Sequence, residues 1–214
     1  METQQMNHCR IFLFSTLTLL FTLCTLLTAN GADSKITGDP FDSGSGQIIV
    51  HPINHATFAI AWMGKTIYVD PVGGADKFGG LPKPDLILIT DIHGDHLNAE
   101  TLQAVAQEHT KIVAPEAVAE KLDSALRQKT TVLANGQTKT IADFKIEAIP
   151  MYNLTPDRLK FHSKGRGNGY VLTLGNKRFY ISGDTEDIPE MRALKNIDVA
   201  FVCMNLPYTM TVDQ

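Results

Sequence analysis

The chain has 214 residues, 43% of them hydrophobic and 20% charged, with a formal net charge of −4. That length supplies one sizeable core and not two. The acidic balance excludes a basic footprint for nucleic acid, whereas an anionic small molecule stays open as a partner because a bound cation would add local positive charge.

Residues 11–29 form a nearly uncharged apolar run behind Arg10 and ahead of Asn30-Gly31-Ala32-Asp33. Small residues at Ala29 and Gly31 fit a cleavage site, while the run approaches the roughly 20 residues that a spanning helix needs. Residues 1–32 are therefore read as a signal peptide or as an N-terminal anchor. Either reading predicts export to the periplasm or the cell exterior, with a membrane tether through residues 11–29 if the segment is retained. Cys9 and Cys24 fall in this segment, which leaves Cys203 with no partner for an intrachain disulfide.

Residues 33–46, with Gly38, Pro40, Gly44 and Gly46 among Ser and Asp, read as a flexible linker, so the folded domain is expected over 47–214. Three short strands at 47–53, 56–63 and 66–70 suggest an antiparallel meander. The apolar run at 85–89 then leads into Thr90-Asp91-Ile92-His93-Gly94-Asp95-His96. Asp91, His93, Asp95 and His96 place four potential metal ligands within six residues at the end of a buried-type strand. Imidazole nitrogens and carboxylate oxygens suit zinc, manganese or iron, and Gly94 lets the loop bend.

From Ala99 the hydrophobic period becomes helical, with Leu102, Val105 and Ala106 on one face to about residue 109. A strand at 111–114 and a helix opened by Pro115 and running through 122 follow, as in a layered α/β protein. Asn135-Gly136 supplies the positive φ angles of a type I′ turn, predicting a hairpin between strands 130–134 and 138–141. After a strand at 144–149 and an irregular stretch at 151–167, strands 170–174 and 178–181 pair through Gly175-Asn176. Ser182-Gly183-Asp184-Thr185 closes the second of these much as the first motif closes its own strand. A short helix through Met191 and Leu194 and a strand at 198–204 complete the plan. Each half thus has antiparallel strands, a strand ending in an acidic loop, and a helix, which predicts two sheets face to face between outer helices.

With both acidic loops in view, the chain resembles the metallo-β-lactamase fold superfamily, and within it looks most similar to the L-ascorbate-6-phosphate lactonase-like hydrolases. The resemblance rests on Asn54-His55-Ala56-Thr57-Phe58, Tyr68-Val69-Asp70-Pro71, the Asp91–His96 motif, Tyr152-Asn153 with Phe161-His162-Ser163-Lys164-Gly165, and Gly183-Asp184-Thr185. It implies an α/β fold, a four-layer αββα sandwich with one or two divalent metal ions at one edge, zinc or manganese, with iron as a further option. It also implies hydrolysis of a small ester, lactone or phosphoester by a metal-bound hydroxide.

Carried residue by residue, the resemblance assigns His93 to a first metal, Asp95 and His96 to a second, and Asp184 to both. His162 is the candidate for the remaining imidazole of the first site, with a surface histidine as the alternative. Asp95 would also orient the hydroxide and shuttle its proton. Asp91 stands where the family motif usually opens with His; as an oxygen ligand it leans the site toward manganese or iron. No histidine follows His162, where the family supplies a late one after a further helix and strand. The resemblance therefore implies a domain truncated at its C-terminus, a second metal one ligand short, and a catalytically impaired metal-binding or ligand-binding module as the alternative function. His55 is read as a donor beside the site, a substrate contact or a structural histidine, and Asp70 as a group that orients a ligand or a loop. Lys164 and Arg166 either hold an anionic group of the substrate or form a solvated charge cluster.

Overall fold

The computed structural model describes residues 36–214, so the apolar N-terminal segment lies outside the described residues. The meander forms as β2 (Gln47–Asn54), β3 (Thr57–Trp62) and β4 (Lys65–Val69), each antiparallel to the next. β5 (Leu86–Leu88), β6 (Lys111–Ala114) and β7 (Thr130–Val132) then add in parallel. Parallel addition needs crossovers, and α1 (Ala99–Val105), α2 (Glu116–Ala119) and α3 (Ser124–Lys129) lie within them. Because both faces of this part of the sheet are covered, Leu86-Ile87-Leu88-Ile89 is apolar without alternation and fully buried.

The second sheet runs β12-β11-β10-β9-β8, built from β8 (Thr138–Ile141), β9 (Phe144–Met151), β10 (Gly167–Leu174), β11 (Lys177–Ile181) and β12 (Val199–Phe201). Its inner face, including Phe144, Ile146, Tyr170, Leu172 and Phe179, packs with Ile48, Ile60, Ile67, Val69 and Leu88 of the first sheet. The outer face of the first sheet buries Tyr68, Ile87 and Ile112 with Leu102, Val118 and Leu126 of the helices. The outer face of the second sheet is covered more thinly, by Met191 of α4 (Pro189–Arg192) and by Leu194, over Ile149, Val171 and Tyr180. The layers are helix, sheet, sheet, helix, as expected. No helix among the described residues is long and apolar enough to cross a membrane.

Three local expectations are corrected. Residues 36–46 are not a linker: β1 (Asp39–Asp42) pairs antiparallel with β2, and Ile36 is buried. Trp62 Nε1 donates to Ser43 Oγ at 2.9 Å and the Asn176 amide donates to the Ser43 carbonyl at 3.1 Å, so the Gly/Ser-rich bend is tied down by partners distant in sequence. Asn135-Gly136 does not close a hairpin, because β7 and β8 belong to different sheets. Asn135 Nδ2 donates to Gly167 O at 2.9 Å and to Asn168 Oδ1 at 2.6 Å, pinning the crossing onto β10. The tight hairpin is β8 to β9, across Ala142 and Asp143, both at positive φ.

The helices are also shorter than their hydrophobic periods suggest, since α1 stops at Val105 and α2 at Ala119. The sequence reading lacked α3, although its cap was visible: Asp123 accepts from the Leu126 amide at 2.9 Å. The last strand is confined to Val199–Phe201, and Cys203 lies beyond it.

Candidate metal centre

The two acidic loops meet at one edge of the sandwich. The chain leaving β5 turns sharply, with the His96 and Leu97 amides both donating to the His93 carbonyl at 3.0 and 2.8 Å. The Asn168 amide, at the start of β10, donates to Thr90 O at 2.9 Å and stitches the second sheet to this motif. Gly183 brings in the other loop: its φ is +59°, and a Cβ there would lie 2.6 Å from Met151 Sδ and 3.1 Å from Thr90 Cβ. Glycine alone accepts both that conformation and that approach, so it sets Asp184 beside the histidines.

Asp184 Oδ2 lies 3.3 Å from His96 Nε2 and 3.2 Å from His162 Nε2, and Asp95 Oδ2 lies 3.8 Å from His96 Nε2. The far ring nitrogens are already engaged. His96 Nδ1 bonds Asp70 Oδ2 at 2.8 Å, and His162 Nδ1 bonds the Tyr208 carbonyl at 3.2 Å. Such partners fix the ring orientation and leave Nε2 as the outward donor. Both Nε2 atoms are buried and have no properly aligned hydrogen-bond partner. Asp95, His96 and Asp184 offer ligand atoms within 4.8 Å of one another, and the orphaned His162 Nε2 faces the same Asp184 oxygen, a donor set that fits a divalent cation.

Electrostatics agrees with the geometry. Burial alone would raise the Asp184 carboxyl, but the facing imidazoles of His162 and His96 outweigh it and hold it well below the usual carboxylate range. Burial alone would lower His96, yet Asp70 and Asp184 on its two sides push it up to about 11. Asp70 accepts from the Thr90 amide, the Thr90 hydroxyl and His96 together; burial raises its carboxyl above the ordinary value, and the His96 charge and these bonds oppose that rise.

The other half of the motif is arranged differently. Asp91 Oδ2, which is buried, lies 2.9 Å from His93 Nδ1 and 3.9 Å from His162 Nε2, so these three residues form a second convergent group. Arg166 enters that group directly. Its Nε and one terminal nitrogen donate to the two oxygens of Asp91 at 3.1 and 2.8 Å, and the same terminal nitrogen lies 3.5 Å from His93 Nε2. Burial lowers His93, and the charges of Arg166 and His162 add to that. The donor set around Asp91 is therefore already answered by a guanidinium and does not fit a further cation as it stands.

The β-lactamase superfamily domain profile matches residues 49–214. The chain belongs to that superfamily. A UPF0173 metal-dependent hydrolase of Thermococcus onnurineus is 30% identical over 166 residues, covering 74% of this chain and 72% of the relative. Among solved structures, a Parabacteroides distasonis protein classed as a metal-dependent hydrolase superposes with a TM-score of 0.76 at 45% identity, covering 84% of this chain and 80% of that one. A metallo hydrolase from Ignicoccus hospitalis superposes with a TM-score of 0.62 at 21% identity, covering 78% and 75%, and shares the fold.

Of the residues singled out from sequence, Asp91, His93, Asp95, His96, His162 and Asp184 come together at this edge. His55, at positive φ in the β2–β3 turn, joins them with Nε2 3.3 Å from Asp95 Oδ2, and Asp70 stands behind His96. Lys164 does not join: its Nζ bonds Glu190 at 2.9 Å and Tyr152 at 3.2 Å on the outer surface. Arg166 is in the group but spent on Asp91, so neither basic residue is free to hold an anionic substrate. Sequence reasoning missed Thr90 and Tyr208, which hold Asp70 and His162 in place. It also missed buried Glu186, which accepts from the Leu154 and Thr155 amides at 2.6 Å and from Arg158 at 3.0 Å, and so pins the loop carrying His162. A buried Glu in a polar stretch leaves no signal by composition alone.

Proposed function

We propose that this protein is a metal-dependent hydrolase of a small ester, lactone or phosphoester, the lactonase-like branch being the reading the sequence motifs favour. The observation that carries this is the pair of orphaned Nε2 atoms of His96 and His162 facing Asp184. His96, His162, Asp95 and Asp184 would hold the cation, and their mixed nitrogen and oxygen donors suit zinc or manganese. When bound, the cation lowers the pKa of a water toward neutrality and stabilises the negative charge that develops on the substrate oxygen.

The chain's own residues supply the rest. Asp95 is half-exposed, within reach of both the solvent side and His96, and takes the proton of the attacking water. His55, 3.3 Å from Asp95, orients that carboxylate and passes the proton toward the leaving group. A cleft of about 430 Å³ opens beside His96 and Asp184, walled on one side by Phe58 and Phe201, which matches a small molecule with an apolar portion. The apolar run at 11–29 supports an exported setting for this chemistry. A catalytically impaired binding module is the second reading, favoured by the closure of Asp91 onto Arg166.

Metal analysis, with an esterase, lactonase and phosphodiesterase screen, on the wild type and on His96→Ala and Asp184→Ala tests this. Metal uptake and turnover should both fall in the variants. Metal content unchanged in both would sink the ligand assignment, and uptake without turnover on any substrate class would favour the binding module.

A further inference from the structure

We propose that this chain holds a single cation, at the group of Asp95, His96, His162 and Asp184, and that the guanidinium of Arg166 takes the place of a second one. This rests on the metal-dependent reading above and narrows it. Asp91 is the carboxylate that groups with His93 and His162, and both of its oxygens accept from the Arg166 fork. A guanidinium offers donors only, so it neutralises the carboxylate without becoming a ligand itself. The donors there do converge, with ligand atoms of Asp91, His93 and His162 within 4.8 Å of one another, but the guanidinium shares that space. His93 is flanked by both partners of that pair, with Nδ1 2.9 Å from Asp91 Oδ2 and Nε2 3.5 Å from Arg166, and His162 Nε2 is nearer to Asp184, at 3.2 Å, than to Asp91, at 3.9 Å.

Arg166 is also held where it is. The terminal nitrogen that bonds Asp91 donates to the Phe161 carbonyl at 2.6 Å, and the side chain is largely buried. The next residue, Gly167, is pressed onto the motif so closely that a Cβ would lie 2.9 Å from Thr90 O. A flexible lysine-like excursion is therefore not the resting arrangement of this side chain. Asp95 and Asp184, by contrast, are bonded by no arginine or lysine among the described residues; their contacts are to His55, His96 and His162. Arg166 acts here as a positioning residue, fixing Asp91 and charging that side of the site.

The test counts manganese equivalents on the full chain after chelation and reloading, by elemental analysis, for wild type and Arg166→Gln. One equivalent is expected for wild type and two for the variant, whose freed Asp91 can join His93. Two equivalents on wild type, or one on the soluble variant, would overturn the proposal and leave the hydrolase reading standing. If Arg166→Gln does not fold, electron paramagnetic resonance of wild type with two manganese equivalents decides. An isolated bound ion beside free manganese supports the proposal, and a spin-coupled pair overturns it. No uptake at all by wild type would overturn the hydrolase reading and this one together.

Discussion

His96 and Asp70 form a buried imidazole–carboxylate couple, with Nδ1 2.8 Å from Asp70 Oδ2 and Nε2 turned toward Asp184. The couple fixes which nitrogen faces the site, since Asp70 is itself locked by the Thr90 amide and hydroxyl. Asp70→Asn keeps the shape and removes the charge, and its amide group meets donors where it needs acceptors. Metal affinity should fall by roughly 10- to 100-fold, as measured by competition with a chromogenic chelator. Affinity equal to that of wild type would remove Asp70 from this role.

The protonation of His96 makes the metal-free protein pH-dependent. Its folded value of about 11 lies above the ordinary 6.5. The stabilisation is thus complete below about pH 6.5 and lost as pH rises through the folded value. Thermal melts in chelator should decline across that window. Because a cation needs the neutral ring, binding near pH 7 should release a proton. Calorimetry in two buffers of different ionisation enthalpy reads this directly, and a buffer-independent heat would count against it.

At the acid end the sign reverses. Asp184 is held below the usual carboxylate range by His162 and His96, against burial, so its contribution is present above the ordinary carboxylate value and lost as pH falls. Asp184→Asn should flatten the acid limb of a pH–stability curve relative to wild type. Parallel acid limbs would place the dependence elsewhere.

Chelation should destabilise as well as inactivate. With Asp95 and Asp184 within 4.8 Å of each other and neither bonded to an arginine or lysine among the described residues, a bound metal relieves their repulsion. At free metal about 100 times the dissociation constant, linkage alone contributes about 2.7 kcal/mol, visible as a concentration-dependent melting temperature. A melting temperature indifferent to metal would contradict a site built into the fold.

Gly183→Ala tests how the Asp184 loop is seated. The left-handed backbone at Gly183 and the 2.6 Å approach to Met151 Sδ both oppose a side chain, although Met151 is flexible enough to yield in part. A loss of roughly 1–3 kcal/mol in urea denaturation is expected, together with weaker metal binding. Full stability in the alanine variant would show that the loop has another way to sit.

Much of the molecule was legible from local pattern. The meander, the strand at 111–114 and the Gly175-Asn176 hairpin follow from alternation and turn chemistry acting over a few residues. Asn135-Gly136 shows the limit: a turn signal says that the chain reverses, not which sheet receives it. The Gly/Ser-rich stretch at 36–46 shows another, since Trp62 and Asn176, which tie it down, are contributed by other parts of the chain.

The sequence by itself determined the ligand chemistry: four donors in the Asp91–His96 motif and a second acidic loop at Asp184, each ending a strand. Only the tertiary structure decided how those donors are shared. Arg166 and Asp91 are 75 positions apart, and the Tyr208 carbonyl that orients His162 is 46 away. Contacts at that separation are set by how two sheets pack and by where Gly167 and Gly183 let loops close on Thr90. No local periodicity encodes them, which is why the motif offered four candidate ligands while the folded site divides into a cation-ready half and a half already closed by arginine.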